Sequence, residues 1–275
     1  MKSFEALISH QHWSECKLAI QAAETAGKQL QKRQTEPHRA NRMVHSKGTI
    51  DFVSDVDLHC EELICSHLQH SGFAILAEER GGLGELHTKW IIDPLDGTTN
   101  YLHGFPAYAV SIALEIENKL VLGVIHNPVL SETFVALDTA GAWLNQKRIF
   151  CSATKDLTCS LLATGFPYDR HTNADHYLPL FKHFLTRCRG VRRAGSAALD
   201  LAHVACGRLD GFWEFKLKSW DVAAGALLIR EAGGVVSDVS GKPLLLNQPN
   251  PLAASPAIHA QMLSICSSTK ERDTH

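Results

Sequence analysis

The stretch from Trp90 to Asn100, WIIDPLDGTTN, places two aspartates three positions apart directly after an apolar run. Pro94 fixes one backbone φ angle and Gly97 permits a tight reversal, so the two carboxylates can converge on one point. Carboxylate oxygens are the ligands that a hard cation such as Mg²⁺ prefers. The spacing therefore predicts a divalent-cation site formed by Asp93 and Asp96 at the end of a strand.

Other groups in the same turn could bind the cation or a phosphate next to it. The backbone carbonyl of Leu95 can serve as a further ligand, while Gly97 and the Thr98-Thr99 pair can present N–H groups and hydroxyls to an anion. The competing interpretation is a surface Asp-Pro turn closed by a local side-chain hydrogen bond, which aspartates in turns usually form. Two aspartates, a glycine and paired threonines after a buried strand favour the metal site.

Acidic residues at two distant positions can complete the site. Glu78 and Glu79 follow the apolar stretch FAILA, and strand ends in α/β proteins are where sites gather. A solvated charge pair before a glycine turn explains them equally well. Asp221 opens a predicted helix, SWDVAAGALLIREAGG, with Ser219 as the cap residue. An acidic residue is favourable at any helix N-terminus, but the small residues of this first turn also let the helix end lie against another element or an anion.

Apolar periodicity predicts the elements that hold these residues. In the first half they are a helix at 14–32, a polar loop at 33–50, a helix that follows the cap residue Ser54 and ends near Gly72, strands at 73–77, 89–93 and 132–137, and hairpins at 107–126 and 142–149. In the second half they are strands at 160–164 and 235–238 and helices at 176–188, 197–206 and 222–231. This mixture predicts a layered α/β fold. We place a soft boundary near 151–155, between an N-terminal α+β half (1–150) and a C-terminal α/β half (151–275) of one compact unit.

The bulk composition is that of an ordinary globular protein. The 275 residues, 45% of them apolar, are enough for one large domain or two closely packed ones. A net charge of −2 gives no general attraction to nucleic acid or to anionic membranes. The local cluster of Arg189, Arg192 and Arg193 is the exception, and such a cluster is more often a solvated face than a nucleic-acid site.

The cysteines and the apolar segments predict the compartment. The eight cysteines include no Cys-x-x-Cys pair, so a zinc site is not indicated. The N-terminal segment lacks the apolar core of a signal peptide, and no uninterrupted apolar run approaches the ~20 residues of a membrane span. We therefore expect reduced thiols in a cytoplasmic protein without membrane attachment.

Three separated motifs resemble signatures of the inositol monophosphatase family and occur in that family's order. They are the Glu78-Glu79 pair, DPLDGTTN at 93–100 and WDVAAGALLIREAGG at 220–234, and the resemblance extends over nearly the whole chain. The stretch RRAGSAALDLAHVACGRLDGFWE at 192–214 resembles bacterial members in particular. The resemblance implies a fold of alternating α-β-α-β-α layers, a homodimer, and lithium-sensitive, Mg²⁺-dependent hydrolysis of an inositol monophosphate.

The resemblance also implies roles for individual residues. Its ligand sets for two or three Mg²⁺ ions are Glu78, Asp93 and the Leu95 carbonyl for the first, Asp93, Asp96 and Asp221 for the second, and Glu78 again for a weaker third. Catalysis falls to Thr98, hydrogen-bonded to Asp57 and activating the attacking water, and to Glu78. The implied substrate contacts are Lys47, which matches a lysine on a loop over the site, and Leu95, Asp96, Gly97, Thr98, Arg192, Gly195, Ser196, Ala197, Glu214 and Asp221.

Two departures from the family pattern bear on the substrate. Ala77 stands where many relatives have glycine, which should not affect ligation. The stretch FKLK at 215–218 is more basic than in animal members and adjoins Glu214. A 3′-phosphonucleotide, fructose 1,6-bisphosphate and histidinol phosphate therefore stay open as substrates, although the implied contacts fit a polyol best. A rival of a different class is a regulatory protein that binds RNA or the transcription machinery through the arginine cluster.

Overall fold

The computed structural model describes residues 7–35, 44–46, 52–82 and 87–272. Helix α1 (Trp13–Thr35) confirms the first predicted helix and extends it. Strands β1 (Val44–Ser46) and β2 (Phe52–Ser54) form an antiparallel pair. Most of the predicted loop at 33–50, including Lys47, lies outside the described residues.

Helix α2 (Asp55–Leu68) begins directly after Ser54, as predicted. A 3₁₀ turn at Gln69–Ser71 follows it, and Gly72 ends the turn with a φ of 72°. Glycine adopts this left-handed conformation without steric cost. The predicted end of the helical segment near Gly72 is therefore confirmed.

The large sheet lies in the first half of the chain. Its described strands are β3 (Ala74–Ala77), β4 (Gly81–Gly82), β5 (Thr88–Asp96), β6 (Ala109–Ile116), β7 (Lys119–Asn127), β8 (Glu132–Leu137), β9 (Gly141–Leu144) and β10 (Lys147–Arg148). They pair in the order β10-β9-β8-β7-β6-β5-β3-β4. Only β3 and β5 run parallel among these described neighbours. Ala77 pairs with Ile92, so Glu78 and Asp93, the next residue along each segment, lie at the same edge of the sheet.

The small sheet lies in the second half. Its described strands are β11 (Leu161–Thr164), β12 (Gly190–Arg192), β13 (Gly211–Trp213), β14 (Val235–Asp238) and β15 (Pro251–Ala254). They pair in the order β12-β11-β13-β15-β14. The sequence predicted β11 and β14 but missed β12, β13 and β15. Strands β12 and β13 are only three residues long, too short for a pattern to show, and β15 begins with a proline, a residue more typical of turns than of strands.

Helices separate and cover the two sheets. Their bounds are α3 (Thr98–His103), α4 (Arg170–Leu185), α5 (Ala197–Ala205), α6 (Ser219–Glu231) and α7 (Pro256–Arg272). The pair α1 and α2 packs on the large sheet, α5 and α6 pack between the two sheets, and α4 and α7 pack together on the small sheet. The predicted order of layers, α-β-α-β-α, is confirmed.

Three helices differ from the sequence prediction. Helices α3 and α7 were not predicted, and α4 begins at Arg170 rather than at His176 and ends at Leu185 rather than at Cys188. Inside α4, Asn173 departs from helical geometry with a φ of −123°, and Pro179 interrupts the pattern. Both features weaken the 3.6-residue period on which the prediction depended.

The cysteines and the helices can be compared with the expectations for thiols and membrane spans. All eight cysteines are free, as expected of reduced thiols. Burial raises the pKa of the Cys16 and Cys60 thiols to about 12, so these two are unreactive. Within the described part of the chain, every helix is too short or too polar to cross a bilayer.

The position of α6 depends on close packing on both of its sides. A Cβ added at Gly123 of β7 would lie 2.7 Å from the carbonyl oxygen of Ala224 and 3.0 Å from its Cα. On the side of α5, a Cβ added at Gly225 would lie 2.5 Å from the Cβ of Leu201. The small residues at the start of α6 thus let the helix lie tightly against other elements, as the sequence predicted.

We expect Gly123→Ala to lower the free energy of unfolding by about 1–3 kcal/mol, because the added methyl group meets backbone atoms and only a shift of the helix relieves the overlap. Denaturant unfolding measures the change. Gly190→Ala is the matched control in a strand, since its new Cβ would find the nearest atom at 3.5 Å. Equal stabilities of the two variants would contradict this account of the packing.

Candidate active site

An irregularity in β5 brings Asp93 and Asp96 to one face of the sheet. In a regular strand, residues three positions apart point to opposite faces. The pairing with β6 shifts between Asp93, opposite Ser111, and Asp96, opposite Ala109, so three steps on β5 face two on β6. Such a bulge re-aims side chains, and it tolerates Pro94, which has no N–H to donate. The strand continues through the bulge, so the prediction that it ends at Asp93 was wrong.

Asp221 reaches the same place from the first turn of α6. The Ser111 hydroxyl donates to the Trp220 carbonyl at 3.1 Å, which fixes the start of the helix to the large sheet. Asp221 Oδ2 accepts a hydrogen bond from the backbone N–H of Lys218 at 2.7 Å, so Asp221 itself caps the helix. Ser219, the predicted cap, is instead the first helical residue.

Three carboxylates meet at this point. One oxygen each from Asp93, Asp96 and Asp221 lies within 4.8 Å of the other two. Asp93 is 1% exposed, and the other two are half-buried. Like charges this close repel one another unless protons or a cation neutralise them. An oxygen-only donor set of this kind fits a hard divalent cation such as Mg²⁺.

Neighbouring donors orient the two aspartates of the bulge. Asp93 Oδ1 accepts from the Leu95 N–H at 2.9 Å. Asp96 Oδ2 accepts from the Ser196 hydroxyl at 2.5 Å and from the Ala198 N–H at 2.7 Å. Hydrogen bonds of this kind orient carboxylates that could hold a cation.

The pKa values reflect the crowding. Burial raises the pKa of Asp93 well above its usual value, and the charges of Glu78, Asp96 and Asp221 raise it further. Burial and the charge of Asp96 likewise raise the pKa of Asp221. Burial raises the pKa of Asp96 to about 6, although the hydroxyl of Ser196 opposes the shift. Without a cation these carboxyls therefore keep their protons to a higher pH than separate carboxyls do, and any cation that binds must displace the protons that remain.

These shifts predict a pH-dependent stability. A carboxyl whose pKa is higher in the folded than in the unfolded state stabilises the fold while protonated, and this contribution is lost as the pH rises through the folded-state pKa. We expect the Tm of the metal-free protein to fall as the pH rises from about 5 to about 8, the range that spans the pKa of Asp96 at about 6 and that of Glu214 at about 8. The rise in Tm on adding Mg²⁺ should be larger at the upper end. Thermal unfolding with a chelator and with Mg²⁺ measures both. A Mg²⁺ effect equal at both ends would contradict a shared, protonated site.

Thr98 lies beside the carboxylates at the start of α3. Its hydroxyl is 3.1 Å from Asp57 Oδ1 and 3.1 Å from the Leu95 carbonyl oxygen, and it can donate to either. The expected hydrogen bond between Thr98 and Asp57 is therefore present. Gly97 turns the chain into α3 with a φ of 96°, and a Cβ there would lie 2.9 Å from the Ala107 carbonyl oxygen. Only glycine fits this turn without strain.

Glu78 follows β3 at the edge of the same cluster. Its backbone N–H donates to the carbonyl of Ile92 at 3.2 Å, one residue before Asp93. Its charge is, after burial, the largest cause of the raised pKa of Asp93. Glu78 is not part of the group of carboxylates within 4.8 Å of one another, so it lies at the margin of the cluster.

These residues line a cavity of about 560 Å³. The predicted site residues in its lining are Glu78, Asp93, Leu95, Asp96, Gly97, Thr98, Gly195, Ser196, Ala197, Glu214 and Asp221. Asp57 is buried behind Thr98. Arg192 is exposed and is not among the described residues that line the cavity, and Lys47 is outside the described part of the chain.

Sequence reasoning missed several residues of the cavity lining, including three near Glu214. Arg193, rather than Arg192, lines the cavity, together with Asp200 and Gly165. Burial raises the pKa of Glu214 to about 8, against the charge of Arg193. A Cβ added at Gly165 would lie 2.1 Å from Glu214 Oε1, so this glycine makes room for the carboxyl. In the sequence, only the Arg192-Arg193 pair indicated an arginine at the site, and it did not show which of the two lines the cavity.

A layered α/β fold with a carboxylate-lined cavity is typical of metal-dependent phosphatases, and known proteins of this kind resemble the chain. The model of the inositol monophosphatase family matches residues 13–271. An inositol-1-monophosphatase from Mesorhizobium japonicum is 42% identical over 248 residues, covering 89% of this chain and 92% of that protein. The chain belongs to the inositol monophosphatase family.

Other relatives carry a different name. A putative Nus factor SuhB from Neisseria meningitidis serogroup B is 45% identical over 226 residues, covering 81% of this chain and 87% of that protein. The crystal structure of extragenic suppressor protein suhB from Bartonella henselae matches with a TM-score of 0.87 at 40% identity, covering 92% of this chain and 98% of that chain. Relatives of similar identity thus bear both enzyme and factor names.

Proposed function

We propose that this protein is a Mg²⁺-dependent phosphomonoesterase that hydrolyses an inositol monophosphate to inositol and phosphate. The observation that carries the proposal is the meeting of Asp93, Asp96 and Asp221 within 4.8 Å in the lining of a cavity. Relatives named inositol-1-monophosphatase support the choice of substrate.

Acidic residues would hold two or three Mg²⁺ ions. The ligands are the three aspartates with Glu78 and the Leu95 carbonyl. When bound, the cations would neutralise the charge of the phosphate and make a neighbouring water more acidic. The hydrogen bonds to Asp93, Asp96 and Asp221 keep these side chains oriented for that task.

Thr98 and Asp57 would position the attacking water. If Thr98 donates its proton to Asp57, 3.1 Å away, the lone pairs of Thr98 Oγ1 can accept a hydrogen bond from a water in the cavity. A water held in this way lies next to the carboxylate cluster, where the phosphate would bind. Gly97 and Thr98 line that part of the cavity and would contact the phosphate.

The polyol would lie against Glu214 and the lining residues near it. Glu214, with a pKa raised to about 8, can both donate to and accept from hydroxyl groups near neutral pH. The Ser196 hydroxyl is engaged with Asp96, so Gly195, Ser196 and Ala197 would contact the substrate chiefly through their backbone. Arg193 is among these lining residues and takes the place that we expected for Arg192.

Phosphate release from inositol 1-phosphate, with and without Mg²⁺, tests the proposal. A 3′-phosphonucleotide, fructose 1,6-bisphosphate and histidinol phosphate form the comparison panel. We expect Mg²⁺-dependent turnover with the highest kcat/KM for inositol 1-phosphate and inhibition by Li⁺ at fixed Mg²⁺. A higher kcat/KM for another panel member would reject the substrate, and no Mg²⁺-dependent release at all would reject the class of reaction.

The family resemblance further supports a homodimer. From the sequence we also propose a cytoplasmic protein, in which each chain forms one compact unit with halves at 1–150 and 151–275. Light scattering after size-exclusion chromatography measures the mass in solution. Limited proteolysis near 151–155 tests the boundary, because few native contacts should cross a true linker.

A second function, binding to RNA or the transcription machinery, is favoured by the relatives named Nus factor SuhB. Arg189 and Arg192 are exposed beside and within β12, an edge strand of the small sheet. Salt-sensitive binding of RNA or RNA polymerase that survives Asp93→Asn but not the double change of Arg189 and Arg192 to alanine would support it. Binding unaffected by the arginine changes would place such an interface elsewhere.

A further inference from the structure

We infer that Glu61 is a positioning residue, which fixes Glu78 at the edge of the cavity by holding the turn that follows β3. The inference rests on the proposed function, since it concerns the same site. Glu61 lies in α2 and is 0% exposed. A carboxylate buried to this extent is costly unless it is paired and hydrogen-bonded, so its partners identify what it holds.

Glu61 binds the turn at two points. Its Oε2 accepts a hydrogen bond from the backbone N–H of Glu79 at 2.8 Å, and its Oε1 lies 3.4 Å from Nε of Arg80. Hydrogen bonds to an ionised group are roughly twice as strong as those between neutral groups. The turn is thereby tied to the middle of α2.

This tie constrains Glu78 from both sides. The N–H of Glu78 donates to the carbonyl of Ile92 at 3.2 Å, and the next N–H along the chain, that of Glu79, donates to Glu61. Both peptide groups that flank the Cα of Glu78 are therefore held. Its side chain starts from a fixed point at the cavity wall, where its charge acts on Asp93.

The same helix holds the other side of the cavity. Asp57 lies one turn before Glu61, and residues four apart share one face of a helix. Asp57 accepts from Thr98, and the two carboxylates are 1% and 0% exposed. Helix α2 thus holds two separate segments of the cavity lining, the one with Thr98 through Asp57 and the one with Glu78 through Glu61. Loss of Glu61 should make the segment with Glu78 more mobile and leave the segment with Thr98 in place.

Calorimetric titration with Mg²⁺ in the absence of substrate tests the inference, combined with kcat measured at saturating Mg²⁺. We expect Glu61→Ala to weaken Mg²⁺ binding by about tenfold while kcat stays within about threefold of the wild-type value. Glu61→Gln keeps an oxygen for the Glu79 N–H and should recover most of the affinity. Glu61→Asp, which is too short to reach, should show the same loss as alanine and serves if the alanine variant does not fold.

Two controls separate positioning from stability. Glu62→Ala removes the neighbouring carboxylate, whose Oε1 lies 2.8 Å from Nη2 of Arg80 at the exposed surface, and should bind Mg²⁺ like the wild type. Ile64→Ala opens the core beneath the same helix, since Ile64 is 0% exposed. It should lower Tm without weakening Mg²⁺ binding.

Unchanged Mg²⁺ affinity in the Glu61→Ala and Glu61→Asp variants, or an equal loss in Ile64→Ala, would overturn the inference. A wild-type protein that binds Mg²⁺ but hydrolyses no phosphomonoester would reject the proposed function, and the calorimetric comparison would still decide the role of Glu61. A wild-type protein that binds no Mg²⁺ would reject both.

Discussion

Asp93→Asn is expected to reduce kcat by about 10³-fold or more while the protein stays folded. The asparagine oxygen can still accept the Leu95 N–H, which lies 2.9 Å from Asp93 Oδ1. What disappears is one negative charge at the residue that both implied Mg²⁺ ligand sets share. A cation contributes several kcal/mol of charge stabilisation, and each 1.36 kcal/mol is a factor of ten in rate.

Although kcat should fall, the stability of the metal-free Asp93→Asn variant should stay the same or rise. Burial and the neighbouring carboxylates raise the pKa of Asp93 well above its usual value, so its ionised form destabilises the metal-free protein. A neutral amide removes that repulsion, and the Tm of the metal-free variant at about pH 8 should equal or exceed that of the wild type. Mg²⁺ stabilises a protein that binds it by mass action, so its effect on the variant's Tm should be much smaller.

Asp175→Asn provides the matched control, because Asp175 is an exposed residue of α4 outside the cavity lining. It should change neither kcat nor the Mg²⁺-induced rise in Tm. Near-normal kcat for Asp93→Asn at moderate Mg²⁺ would show that Asp93 is not a ligand. A large fall in its Tm would point to a structural role instead.

The acidic site was accessible to sequence reasoning because part of it is local. Asp93 and Asp96 flank one proline and precede one glycine, and that turn chemistry can be derived from residue types. The apolar runs and the turn residues between them in the first half also predicted most of the large sheet. The convergence of Asp221 on this pair is different, because it depends on how α6 packs against β7. Small residues in its first turn indicated close packing but not the neighbour, and the family resemblance supplied it.

Residues whose roles depend on register escaped the sequence. Ser111 lies within an almost wholly apolar strand, and only its pairing opposite Asp93 shows that it holds the start of α6. Arg192 and Arg193 are adjacent, and successive side chains of an extended chain point in opposite directions. Composition could not decide which of them enters the cavity. In the sequence, Glu61 is one of several acidic residues of a predicted helix, and only its burial in the structure distinguishes it from the others.

Asp57→Asn is expected to lower kcat by about 10²-fold, within the range lost when a positioned acid or base is removed, with little change in the Mg²⁺ concentration for half-maximal rate. The asparagine oxygen can still accept from Thr98, 3.1 Å away in the native protein, so the geometry is retained and the negative charge is lost. Asp57 is not among the carboxylates within 4.8 Å of one another, which is why Mg²⁺ binding should be spared. Loss of Mg²⁺ binding would contradict its role beside Thr98.

A double-mutant cycle separates a shared role from two independent ones. Thr98→Val removes the hydroxyl and should lower kcat by about the same factor as Asp57→Asn, while Thr98→Ser keeps the hydroxyl and should retain most of the rate. Groups that act as one unit are strongly non-additive, so the double variant should be little worse than either single one. If the double variant instead lost about 10⁴-fold in kcat, the product of the two single losses, Asp57 and Thr98 would contribute separately. The water would then have to be oriented by groups other than this pair.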